Sequence, residues 1–65
     1  MNKREIEKVY KRVHKYGGCE LPDGCSISLF EKGYQSWEYI LRDPYVGVIT
    51  VTWNWNYIAE LLKED

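Results

Sequence analysis

Long apolar runs are missing from this 65-residue chain. The most apolar stretch, 45–53, is broken by two Thr and one Gly. It falls far short of the roughly 20 residues that span a bilayer. No run of seven apolar residues follows Met1-Asn2-Lys3-Arg4-Glu5-Ile6-Glu7, so no secretory signal is expected. These absences predict a cytoplasmic protein with no membrane partner. Two cysteines are too few for a disulfide scaffold, and a reducing cytosol would oppose a bridge. There is one histidine, and no catalytic signature accompanies it. A Gly-rich phosphate loop is absent too. Gly17-Gly18 follows a helical stretch, so the helix dipole there points the wrong way for phosphate. An enzyme is not expected, nor is a cofactor.

Net charge is also nearly absent. Nine Lys/Arg stand against ten Asp/Glu, a total of −1. That excludes a uniformly basic polyanion binder. The small total hides a split. Residues 1–16 carry six basic side chains (Lys3, Arg4, Lys8, Lys11, Arg12, Lys15) and two acidic ones, a net of +4. Residues 17–65 carry three basic and eight acidic, a net of −5.

What is present is the composition of one small globular domain, 1–65. Apolar residues make up 45% of the chain and charged residues 29%, too apolar for disorder. A chain this short buries only about 60% of the surface its unfolded form exposes. Its own core therefore supplies little margin, and a second subunit or a partner becomes a natural source of more.

Periodicity gives the elements. Over 2–16, Ile6, Val9, Tyr10, Val13 and Tyr16 recur at steps of three and four, one stripe of a helix. Asn2 with Glu5 three residues on has the form of a capping box. Gly17-Gly18 supplies the left-handed stop, and His14 and Lys15 suit the last turn. Residues 19–24 read as a loop. Period-two runs follow at 25–30, 36–42 and 46–55, separated by short links, which predicts antiparallel hairpins. In the last run Ile49, Val51, Trp53 and Trp55 share one face. Asn56 is placed to cap a short closing helix over 56–63, with Ile58, Leu61 and Leu62 on its apolar side. The predicted fold is α+β, in the order α-β-β-β-α. It is a three-stranded antiparallel meander with the helices packed on one face, over Ile27, Leu29, Tyr39, Leu41, Ile49 and Val51. Ser26, Ser28, Glu38, Arg42, Thr50 and Thr52 would face water.

This order invites comparison with the double-stranded RNA-binding domain. That family grips phosphates with a Lys-rich start to its last helix. Here the position reads Trp55-Asn56-Tyr57-Ile58-Ala59-Glu60, with no Lys, so the chain is not assigned to it.

Three features carry functional expectations. The first is the basic stripe. Arg4–Lys8, Lys8–Arg12 and Lys11–Lys15 place like charges one turn apart, and each pair costs a few tenths of a kcal/mol, about 0.2–0.5. Such a stripe is a solvated face steadied by neighbouring acids, or it is a surface for an acidic protein or phosphate. The second feature is the three Trp and six Tyr. Most are expected to fill core and interface. Trp37, Trp53 and Trp55 cluster on neighbouring strands, and Tyr34, Tyr45 and Tyr57 fall at turns or element ends, where they suit recognition. The third is His14, Cys19, Asp23 and Cys25. The spacing C-x5-C fits no standard zinc knuckle. Separate thiols are expected, with a bridge or a metal site as the alternatives.

The reading that follows is a non-enzymatic interaction protein, expected to act as a homodimer. It binds and blocks a macromolecular partner, most naturally a protein, through Arg4, Lys8, Lys11, Arg12, Lys15, Tyr34, Trp37, Tyr45, Trp53, Trp55 and Tyr57. By size it matches the accessory inhibitors of phages and mobile elements, anti-defence proteins included. One alternative is an oligomeric nucleotide sponge, with rings stacked on the base and Lys11, Arg12 or Lys15 on phosphate. The other is a nucleic-acid binder using the first helix.

Overall fold

A computed structural model describes residues 1–63. Helix α1 spans Lys3–Tyr16. Its start is held as the sequence predicts: Asn2 Oδ1 accepts the Glu5 amide at 2.9 Å, and Glu5 Oε1 accepts the Asn2 amide at 3.2 Å. Gly17 ends it at φ 84°, and its N–H donates to the Val13 carbonyl. Only Gly takes that left-handed position without a steric cost.

Four strands follow: β1 (Gly18–Glu20), β2 (Ser26–Gly33), β3 (Ser36–Asp43) and β4 (Gly47–Thr52). They form one antiparallel sheet in sequence order. The three-strand expectation is thus short by one. Strand β1 takes Gly18 from the helix stop and the first two residues of the segment read as a loop, where Cys19 pairs with Ile27. At three residues it has no visible period, and its pairing with β2 creates it. Helix α2 spans Trp55–Lys63 and begins one residue earlier than predicted. Its cap is Asn54, not Asn56: Asn54 Oδ1 accepts the Asn56 amide at 3.0 Å. Thr52 Oγ1 in turn accepts the Asn54 amide at 3.1 Å, which closes the strand. The Met1 ammonium donates to the Leu62 carbonyl at 3.0 Å and ties the start of the chain to the end of α2.

Both helices lie on one face of the sheet. The core joins Ile6, Val9 and Val13 of α1 to Ile58 and Leu62 of α2 over Ile27, Tyr39 and Leu41, with Leu21 and Cys25 closing one end. Burial of such side chains supplies about 1.5–3 kcal/mol each.

The face of β4 is opposite to the one predicted. Thr52 pairs with Tyr39 and Thr50 with Leu41, so the two Thr point to the helices while Val51, paired with Ile40, points outward. Ile49 is the extra residue of a bulge opposite Leu41 and Arg42. Val48, Ile49 and Val51 are each about half exposed. Period two fixes that residues alternate but not which set is buried, and one step of register exchanges them. Here the pairing that leaves the β3–β4 turn, Gly47 with Asp43 and Val48 with Arg42, would carry Ile49 and Val51 inward, and the extra residue at Ile49 exchanges the two faces beyond it. Asp43 Oδ1 accepts the Tyr45 and Val46 amides at 2.8 and 3.0 Å, and Gly47 supplies φ 93°. Those two N–H donors hold the Asp43 carboxyl below its ordinary pKa.

Candidate functional site

Ile6, Val9 and Val13 turn toward the sheet, and the opposite side of α1 is left to its cations. Lys3, Arg4, Lys8, Lys11, Arg12 and Lys15 are all exposed. Arg4, Lys8, Lys11 and Lys15 follow one another at one per turn. At 1.5 Å rise they form a ridge about 16 Å long. Two ion pairs are recorded among the described residues, Lys32–Glu38 at 2.9 Å and Lys63–Glu60 at 3.3 Å. Neither includes α1, so among the described residues no acid of the sheet forms an ion pair with the stripe. Acids do flank it. Glu5 and Glu20 join Lys8 and Arg12 around one shallow cleft, and Glu7 sits beside Lys11 in another.

On the α2 side of this ridge is a cluster of rings. Trp55, at the start of α2, meets Tyr10 and Tyr39 edge-on, each with centroids 5.1 Å apart. Tyr10 contacts His14 at 4.4 Å, and His14 meets Tyr39 at 5.6 Å and Trp37 at 6.1 Å. His14 Nε2 and Tyr39 Oη share a hydrogen bond of 2.6 Å. Tyr39 is the buried floor, and burial raises its pKa. Tyr10 and Trp37 form the rim, each about two-fifths exposed. Trp37 and Trp53, with Gln35 and Ser36, line an open cleft of about 290 Å³. Tyr10 and Trp55 line a second of about 250 Å³ with Glu7 and Lys11.

The predicted site residues therefore separate into two groups. Lys11 and Trp55 share a cleft, Trp37 and Trp53 share another, and Arg4, Lys8, Arg12 and Lys15 complete the ridge. Tyr34 and Tyr45 are not part of this surface. They stand almost fully exposed at the β2–β3 and β3–β4 turns, the two ends of β3. Eight residues at about 3.3 Å each separate those ends by about 26 Å. Tyr57 is half exposed on α2, and no ring contact joins it to the cluster. Trp53 and Trp55 do not share a strand face, because β4 ends before both. Sequence reasoning missed Tyr10, His14 and Tyr39 as members. The i, i+4 spacing of Tyr10 and His14 was the available signal.

Cys19 and Cys25 are separate thiols. The Cys25 pKa is pushed up to about 11 by burial and by Asp23 and Asp43 beside it. No group of three or more metal-ligating side chains occurs among the described residues. No helix among them is long and apolar enough to cross a membrane.

No protein-family model matches the chain, and neither a curated protein nor a solved structure matches it.

Proposed function

We propose that this chain is a non-enzymatic binding protein. It docks an acidic surface of a protein partner onto the α1 ridge and the rings beside it, and acts by blocking that partner in the manner of a cytoplasmic accessory inhibitor. The observation that carries this reading is the placement of cations that have no ion pair among the described residues beside a partly exposed aromatic cluster. Like-charge neighbours on a helix cost stability, so their arrangement on one ridge finds its use in an opposite charge from outside. Exposed Trp and Tyr supply the rigid, amphipathic contacts from which binding hot spots are made.

A protein fits better than nucleic acid because Glu5, Glu7 and Glu20 interrupt the positive field. A phosphate backbone presents negative charge alone. A protein fits better than a nucleotide because the clefts are open and small. Ligand sites enclose most of the ligand's surface, usually in about 300–1,000 Å³. The chain is further proposed to act as a homodimer, which presents the ridge twice.

The test is affinity capture with the wild-type chain and a Lys8→Glu/Lys11→Glu variant, quantified by mass spectrometry. The reading expects a stoichiometric acidic protein that the variant loses. Equal capture by both contradicts it, as does capture of nucleic acid alone, removed by nuclease.

A further inference from the structure

We infer that β4 is the edge through which two copies of this chain join, strand to strand, into one continuous eight-stranded sheet. The inference does not depend on the binding role of α1, because it concerns the other face and the far edge of the molecule.

The sheet order leaves β4 with a strand neighbour on one side only. An open edge displays unpaired N–H and C=O groups, and proteins usually blunt it with charge, Pro or short length. The opposite edge, β1, is blunted in this way: it has three residues, one of them Glu20. Strand β4 has six residues, Gly47-Val48-Ile49-Thr50-Val51-Thr52, five of them β-branched. No charged residue occurs anywhere from 44 to 59. Its single irregularity, the bulge at Ile49, lies toward the Gly47 end and leaves 50–52 in regular pairing with β3.

The occupant follows from charge. A closed dimer sets the same surface of each copy against the other, and α1 against α1 would set cation against cation. A neutral edge is the place where this chain meets itself without repulsion. Antiparallel pairing is also self-complementary about a two-fold axis, as a closed dimer requires. Face parity restricts the register, and one centred on Val51 keeps to the regular segment 50–52. With Val51 opposite Val51 of the second copy, Thr50 of each copy faces Thr52 of the other. Outward residues then meet outward residues, and inward meet inward. Val–Val and Thr–Thr are favourable cross-strand pairs.

The outer face supports the same conclusion. On it Arg42 of β3, beside Val48, reaches away from the edge and donates to Ser28 Oγ of β2 at 3.1 Å. The apolar part of this face, Ile40, Val48 and Val51, borders the edge. Joining two copies makes one apolar stripe and shields its centre. Because the axis runs perpendicular to the sheet, both helical layers lie on the same side, and the two basic ridges face the same way. A partner with two sites would then be engaged by both, with the gain that linkage gives.

The experiment is light scattering on the eluted protein, for the wild type, Val51→Lys and Lys8→Glu. Wild type is expected at twice the 7.8 kDa chain mass. Val51→Lys, on an exposed position that the fold tolerates, is expected to raise the dimer Kd by about tenfold or more. Lys8→Glu is expected to leave it unchanged. Hydrogen exchange on wild type gives a second readout, independent of whether the variants fold: added amide protection at high concentration, confined to β4. Four results would overturn the proposal: a chain-mass monomer up to millimolar concentration, a dimer that Lys8→Glu breaks and Val51→Lys does not, protection gained elsewhere than β4, or an open series of larger species.

Discussion

Replacing Trp55 by Ala removes the ring that links all three elements of the aromatic cluster. Trp55 is half-buried and meets Tyr10 of α1 and Tyr39 of β3 at 5.1 Å each. Such ring pairs contribute about 0.5–1.5 kcal/mol apiece beyond area burial. Truncating a fully buried Trp costs about 3–5 kcal/mol, and the half-exposure of this one lowers the expectation to about 2–3 kcal/mol. A domain of this length holds about 3–10 kcal/mol in total. The loss therefore takes a fifth of the margin at least and nearly all of it at most. Urea unfolding followed by circular dichroism measures it, with an unchanged slope showing that the same surface is exposed on unfolding. Trp55→Phe keeps a ring in place and is expected to cost less than half as much. An Ala variant that loses under about 0.5 kcal/mol, or a Phe variant as damaged as Ala, would refute the packing described.

Other expectations test other parts of the structure. Thr50→Val replaces a hydroxyl by a methyl on the helix side of β4, opposite Leu41, and should leave stability equal or slightly higher, whereas Val51→Thr on the outward side should cost less than about 0.5 kcal/mol in the monomer; the reverse order in chemical denaturation would restore the face first predicted. Gly17→Ala places a side chain at φ 84°. Nothing lies within 4 Å of the added carbon, so the cost is conformational alone, about 1–2 kcal/mol, and a thermal melt showing no loss would contradict the left-handed cap. Raising the Cys25 pKa from 9.0 to about 11 removes about 99% of its thiolate at neutral pH. Alkylation of Cys25 at pH 8 should be about a hundredfold slower in the folded chain than in denaturant. The same shift makes stability fall as pH rises from about 9 through about 11, because the unfolded thiol releases its proton first. Equal alkylation in the two states would contradict it.

How much was legible in the sequence differed element by element. Helix α1 was readable to its caps because the capping box and Gly17 act within four residues of the chain. Strands β2 and β3 and the existence of β4 were readable because alternation is local. Strand β1 was not, since three residues carry no period and their order comes from pairing with Ser26, Ile27 and Ser28. The run through Trp53 and Trp55 continued the alternation past the true strand end, which Thr52 and Asn54 impose by side-chain hydrogen bonds. Face parity on β4 was hidden because both sets of residues are β-branched. The one-residue bulge at Ile49 selects between them, and a bulge leaves no mark on the alternation. The ridge was visible as spacing on a helix. The rings beside it were visible only as a surplus, because Tyr10, His14, Trp37, Tyr39 and Trp55 come from three elements that meet only in the fold.

The central claim is that the α1 ridge is a binding surface that the fold does not need. Its most direct test is one charge reversal measured two ways. Lys8→Glu/Lys11→Glu should leave unfolding free energy within about 0.5 kcal/mol of wild type, because neither cation has an ion-pair partner among the described residues. The same variant should lose the captured partner. A variant that unfolds, or one that keeps the partner at full stoichiometry, would contradict the account.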